Sequence, residues 1–207
     1  MVFGVTDSLA YAFRSYVLMF ILASIGVFTV YNMRVNVQDK ITSAPLLDSF
    51  IFGYTPEEAM KVLNKMSSYE LSIYQSFYTN GYDIVLPFVI TGVQLGLMAF
   101  TYPIMGLKVF KLVMFLPLIY LVCDLSENYI HYVVLTLMPM RHKLQSHMND
   151  LLFISGWADL FKYIFFFSGI FFILIGIVSK FIGYIVGLFG GSSNKSKKPT
   201  NNKLKST

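Results

Sequence analysis

Four stretches of the chain are apolar for long enough to be measured against a bilayer, and polar residues separate them. The first runs from about Leu9 to Tyr31, with Arg14 near its start. The second, Ile84 to Met105, holds no charged residue. The third, Leu112 to Met138, contains Asp124, Glu127 and His131. The fourth begins near Leu151, extends as far as Ser179, and carries Asp159 and Lys162 in its first half. Each reaches the ~20 mostly apolar residues that cross a hydrocarbon core of ~30 Å. The pattern predicts an all-α fold, a four-helix transmembrane bundle over residues 1–191 with spans at about 9–31, 84–105, 112–138 and 154–179. Tyr16 to Tyr31 is slightly long for a signal core, and Thr42-Ser43-Ala44 is followed by Pro45, a poor cleavage site, so the first span reads as a retained anchor.

The longest polar stretch, about Asn32 to Asp83, has a pattern of its own. Thr55-Pro56-Glu57-Glu58 is a capping box, with Thr55 as N-cap, Pro56 at the first helical position and Glu58 at the third. Ala59, Met60, Val62, Leu63 and Met66 follow as an apolar stripe. A second helical stretch, Tyr69 to Tyr78, places Tyr69, Ile73, Tyr74 and Phe77 on a common side before the Asn80-Gly81 turn. The expectation is a short amphipathic helical cap over residues 55–79. It either lies in the membrane interface, where aromatic rings are stable, or packs on itself. The links Gly106–Lys111 and Pro139–Asp150 are short, which makes their flanking spans neighbours. Phe181–Gly190 either extends the fourth helix or lies in the interface, and residues 192–207 form a disordered basic tail. Pro87 and Pro117 fall inside spans two and three, where they free backbone carbonyls and bend the helix.

Composition agrees with the pattern. Of the 207 residues 56% are hydrophobic and only 13% charged, against about 25% charged in soluble domains. A cytosolic globule is excluded. The single cysteine, Cys123, excludes an internal disulfide framework and a cysteine-rich zinc site. The net charge of +5 owes much to five lysines in the last thirteen residues. That is a solvated tail, and no nucleic-acid partner is expected. With the N-terminus inside, Arg14, Lys108, Lys111, Lys180 and the tail lysines share the inner side, and the smaller set from Arg34 to Lys143 lies outside. The positive-inside rule then puts both termini on the cytoplasmic or matrix side. Composition does not separate the mitochondrial inner membrane from an endomembrane.

The polar residues within the spans carry the candidate chemistry. Asp124, Glu127, Asn128 and His131 stand at i, i+3, i+4 and i+7, on one helical face. A charged side chain at mid-bilayer costs ~2.5–3.5 kcal/mol on insertion scales, so these acids turn inward and seek partners. Lys162 matches the depth of Glu127 if span four is centred near Phe165, and Asp159 lies three residues before it. The set Asp124, Glu127, Asn128, His131, Asp159 and Lys162 is acid-rich, and a shared proton is an expected outcome. It reads as a polar clasp between helices or as a proton or ion path. Glu127-x-x-x-His131 lacks di-iron spacing, and no zincin, nucleophile-elbow or phosphate-loop motif is present. His142 and His147 give only a weak metal signal. No metal, cofactor or enzymatic activity is assigned. Gly92-x-x-x-Gly96 and Gly183-x-x-x-Gly187 are places where another helix can approach closely.

Phe52-Gly53-Tyr54-Thr55-Pro56-Glu57-Glu58-Ala59, the Asp124-Leu125-Ser126-Glu127-Asn128 run within a span and Leu160-Phe161-Lys162 in the next form a combined pattern. It resembles a scattered family of small four-span membrane proteins of unassigned function, over roughly Leu46 to Gly176. The resemblance implies no activity, but it groups Asp124, Glu127, Asn128 and Lys162 as one constellation. The sequence as a whole favours a non-catalytic, multi-pass accessory or structural subunit of a larger membrane complex, with the lipid bilayer and other membrane subunits as partners. The alternative is a small proton- or cation-linked transporter or channel component.

Overall fold

The computed structural model describes residue 8 and residues 11–105 and 112–190. Among these the ordered elements are helical: α1 (Tyr16–Asn36), α2 (Pro56–Leu63), α3 (Ser68–Thr79), α4 (Tyr82–Met105), α5 (Leu116–Leu137) and α6 (Arg141–Gly190), with 3-10 turns at Gln38–Lys40, Leu47–Ser49 and Met138–Met140. Three stretches are long and apolar enough to cross a membrane: Tyr16–Lys40, Tyr82–Thr101 and the 73-residue Leu116–Leu188. Phe20, Val27 and Phe28 of α1 and Phe171 and Val178 of α6 are exposed. In water such contiguous apolar faces would drive association.

Side-chain contacts fix the helix directions. Gly26 meets Val89, Gly92 meets Leu22 and Gly96 meets Met19, so α1 and α4 run antiparallel. Asn128 reaches the Asp83 carbonyl and Thr91 the Pro117 carbonyl, so α4 and α5 are antiparallel too. Gly169 lies on Gln94 and Gly176 on Thr101, seven residues apart on both helices, which makes α4 and α6 parallel. The glycines let the backbones approach where lipid tails supply no hydrophobic drive between helices. Gly92 and Gly96 thus receive α1 of the same chain, whereas Gly183 and Gly187 face open space.

The largest apolar core lies at the cap end. Ala59 and Leu63 of α2, Tyr74 and Phe77 of α3, Val134 of α5 and Met148 and Leu152 of α6 belong to it. Hydrophobic burial is driven by water, so it concentrates where the chain leaves the apolar spans. Both cap helices start with a complete capping box, Thr55 with Glu58 and Ser67 with Glu70. Glu70 also reaches across the cap: its carboxylate accepts from the Thr42 and Ser43 backbone N–H groups at 3.0 and 3.1 Å and from Ser43 Oγ at 2.8 Å. Hydrogen bonds from the Ser67 backbone, the Ser43 and Ser67 hydroxyls and the Thr42 backbone pull its carboxyl from the usual 4.5 down to about 2. A depressed carboxylate stabilises the fold above its unfolded value, and that stability fades as pH falls through the folded one. Glu70→Gln should therefore be less stable than wild type at neutral pH, and the gap should close between about pH 4.5 and pH 2. Thermal unfolding of the two proteins across that range measures it.

The structure departs from the sequence reading in several places. Helix α1 begins at Tyr16 because Ser15 caps it, and it runs to Asn36, where the apolar window suggested about 9–31. Pro117 bends nothing: it sits in the first turn of α5, where its missing N–H has no helical partner to lose. The Pro139–Asp150 link is mostly helix, the turn shrinking to Met138–Met140 with a break at Leu144 (φ −117°, ψ 18°), so His142 and His147 are on α6. Phe181–Gly190 continues α6. Tyr69 is exposed, unlike Ile73, Tyr74 and Phe77. The Gly106–Lys111 link, Lys108 and Lys111 in the charge count, and the tail from Ser192 lie outside the described residues.

Candidate functional site

Helix α5 presents its polar face inward, and Asp124, Glu127, Asn128 and His131 are all buried. Helix α6 runs antiparallel to it and delivers Lys162, whose Nζ lies 2.5 Å from Glu127 Oε2, 3.2 Å from Asp124 Oδ1 and 3.1 Å from Asp159 Oδ1. Three carboxylates thus surround one ammonium that is itself almost wholly enclosed. Tyr120 donates to Asp124 at 3.4 Å.

Asn128 does a different job. Pro87 has no N–H, so the Asp83 carbonyl four residues earlier lacks its helical donor. The Asn128 amide donates to that carbonyl at 2.7 Å. A proline on α4 and an asparagine on α5 are therefore one matched pair, and the Asn128 amide ties the two helices together.

His131 centres a second group, one that sequence spacing did not reveal. The Tyr54 hydroxyl contacts His131 Nε2 and donates to Ser155 Oγ at 2.8 Å. Tyr78 lies 3.0 Å from Nδ1, and Asp48 Oδ1 is 3.4 Å from the same nitrogen. Because the Tyr54 proton goes to Ser155, Nε2 must carry a hydrogen that Tyr54 accepts. The neutral ring then accepts from Tyr78 at Nδ1. A protonated ring would instead donate from Nδ1 to Asp48, with Tyr78 turning its hydroxyl toward Asp48 Oδ2, 3.5 Å away. The pocket thus holds partners for both protonation states of one imidazole.

Asp48 comes from the 3-10 turn of the cap linker. Its Oδ2 accepts from Tyr74 at 3.1 Å, and its backbone carbonyl accepts from Tyr163 at 2.9 Å. Burial alone would raise this carboxyl, but a protonated His131 ring 3.4 Å away, the Lys162 charge and the Tyr74 hydroxyl outweigh it and hold Asp48 well below the usual carboxylate range. Tyr54 is pushed far above the phenol range by burial and then by the Glu127 charge, and Tyr74 and Tyr78 by burial and the Asp48 charge. All three hydroxyls stay protonated and serve as donors.

From Asp48 the polar groups form one file: His131, then Glu127 at 3.9 Å from Nε2, then Lys162 with Asp124 and Asp159. Asp48, Asp83, Asp124 and Lys162 line an open cavity of about 500 Å³ bounded by α1, the cap linker and α4 to α6. Asp48 is the more accessible end, with its side chain 20% exposed, while Glu127 is sealed. Glu127 Oε1 and Asp48 Oδ1 have no hydrogen-bond donor among the described residues.

One atom each from Asp48, Glu127 and His131 lie within 4.8 Å of one another, a spacing open to a divalent cation. Two features oppose one there: both imidazole nitrogens already face tyrosine hydroxyls, and Lys162 sits against Glu127. Sequence reading missed Asp48, Tyr54, Tyr78 and Ser155 as parts of the site. The Phe52–Ala59 run did contain Tyr54, but nothing local signalled that it points at α5.

Three apolar stretches able to cross a bilayer, enclosing acids and a lysine, place the chain among proteins built for a membrane. Comparison with protein-family models, with curated proteins and with solved structures finds no match to this chain.

Proposed function

We propose that this is a small, non-catalytic, multi-pass membrane protein that takes up and releases protons or cations at its buried centre, as a transporter or channel component. The observation that carries this is charge imbalance at the end of an open cavity. Five buried or half-buried carboxylates (Asp48, Asp83, Asp124, Glu127 and Asp159) face one lysine and one histidine. Uncompensated charge in a low-dielectric site is expensive, so protons or cations must offset the excess. The file from accessible Asp48 to sealed Glu127 supplies a route for them.

The proposal rests on four crossings. The 73-residue stretch would reach ~110 Å as a single helix, far beyond one bilayer. The Met138–Met140 turn, followed by Arg141 and Lys143, divides it into two. We read this as a four-helix bundle whose termini share one side, and the positive-inside rule supports the cytoplasmic or matrix side for them, with the cap on the opposite face.

The test is proton flux in proteoliposomes carrying a potassium-valinomycin gradient, read with an enclosed pH dye. Wild type should acidify or alkalinise the lumen faster than empty liposomes, and Glu127→Gln should abolish the difference while still assembling. Wild type that behaves like empty liposomes leaves the cluster as a clasp. It then favours the accessory-subunit reading, which the unoccupied Gly183 and Gly187 face of α6 supports independently.

A further inference from the structure

The cavity shares Asp48, Asp124 and Lys162 with the proton file, and it has a further chemistry of its own at Asp83. It holds three carboxylates and one ammonium, and most of the remaining wall is apolar or aromatic. Two of the carboxylates are engaged: Asp124 with Lys162 at 3.2 Å, and Asp48 with Tyr74 and His131. Asp83 is not. It is 8% exposed, and its Oδ2 has no hydrogen-bond partner among the described residues. A buried carboxylate with an oxygen that has no donor is costly, and Asp83 lines the cavity wall.

We propose that the cavity binds a lipophilic ammonium, an amine with a hydrocarbon body, with Asp83 as its counter-ion. The volume lies within the range of small-molecule pockets. Phe77, Tyr120, Tyr163 and Phe166 give ring faces and edges suited to an alkylammonium, and Leu86 and Ile90 suit its chain. A bare metal ion fits poorly, because it needs several oxygen ligands and one free carboxylate supplies too few. The walls also suggest how such a ligand arrives. Met33 of α1 and Tyr163 and Phe166 of α6 line the cavity, yet α1 packs mainly on α4. An amphiphile entering head first from the bilayer would bring its ammonium to Asp83.

The experiment uses the full chain in phosphatidylcholine nanodiscs at neutral pH, with radiolabelled decylamine as probe and empty nanodiscs as background. Decylamine should bind saturably at one site per chain. Unlabelled 1-decanol and decanoate should compete at least tenfold less well than unlabelled decylamine. Asp83→Asn should weaken decylamine at least tenfold, because the amide keeps the size and removes the charge. Ala44→Phe, which adds bulk at an uncharged wall position, should remove saturable binding while circular dichroism and gel filtration stay as in wild type. Non-saturable uptake, equal competition by decanol, or wild-type affinity in either variant would overturn the proposal. Binding at equilibrium involves no gradient, so absence of proton flux leaves this inference standing, and flux without decylamine binding sinks this inference alone.

Discussion

Lys162→Met should be the most damaging single substitution in the spans. The ammonium is 2.5 to 3.2 Å from three carboxylates, and its side chain is 7% exposed. Methionine matches the stem closely but removes the only ammonium in the cluster. Breaking a buried pair by deleting one partner costs about 3–5 kcal/mol, because the other charge stays behind. Here three are left, so the variant should accumulate poorly in membranes and unfold well below wild type. Glu127→Gln and Asp124→Asn should each be milder, since the lysine keeps two other acids and the amide keeps a polar group of similar volume. The diagnostic result is the double variant: Lys162→Met with Glu127→Gln should be more stable than Lys162→Met alone, a non-additivity expected of groups in one network. Thermal unfolding in detergent, with membrane accumulation as a second readout, measures all four. A Lys162→Met protein as stable as wild type would remove the electrostatic account of the centre.

What could be read beforehand divides along the range of the signal. The polar face of α5 was legible because helical spacing alone puts residues 124, 127, 128 and 131 on one side. The capping box at Thr55 was legible because it closes within four residues. Lys162 could be matched by depth, since rise per residue converts sequence into position along the bilayer normal. Asp48 could not, because its place beside His131 depends on the path of an irregular linker that shows no period. The Asn128–Pro87 relation lies between these cases. The proline announced a freed carbonyl, but only packing showed which side chain answers it. The contacts of Gly156 were silent for a similar reason. A Cβ there would run into the Tyr54 carbonyl oxygen, while Gly53 (φ +74°) turns the linker against α6. No Gly-x-x-x-Gly marks either position, because the partner is a loop and not a helix.

His131→Phe should separate the cap from the spans without disturbing the Lys162 cluster. The imidazole is 1% exposed and joins four elements: Tyr54 before α2, Tyr78 on α3, Asp48 in the linker and, through Tyr54, Ser155 on α6. Phenylalanine fills the space and keeps the ring contacts with Tyr54 and Tyr78, but it offers no polar atom. Tyr54 retains Ser155 as acceptor, and Tyr78 can turn to Asp48. Asp48 Oδ1 is left without the group that most lowers its carboxyl. Each buried polar group left unpaired costs about 1–3 kcal/mol. The loss should fall on the cap: amide hydrogen exchange at residues 41–79 should speed up by ten- to a hundredfold while α4 to α6 change little. Acid response adds a second signature. A depressed carboxyl stabilises the fold above its unfolded value and loses that contribution as pH falls. Wild-type cap protection should therefore drop as pH falls below about 4, and His131→Phe, whose Asp48 has lost that support, should show a weaker drop over the same range. If exchange in the cap is unchanged, or if it rises equally in α5 and α6, His131 is not the joint between the cap and the spans. The proton file would then have to enter the centre by some route other than Asp48.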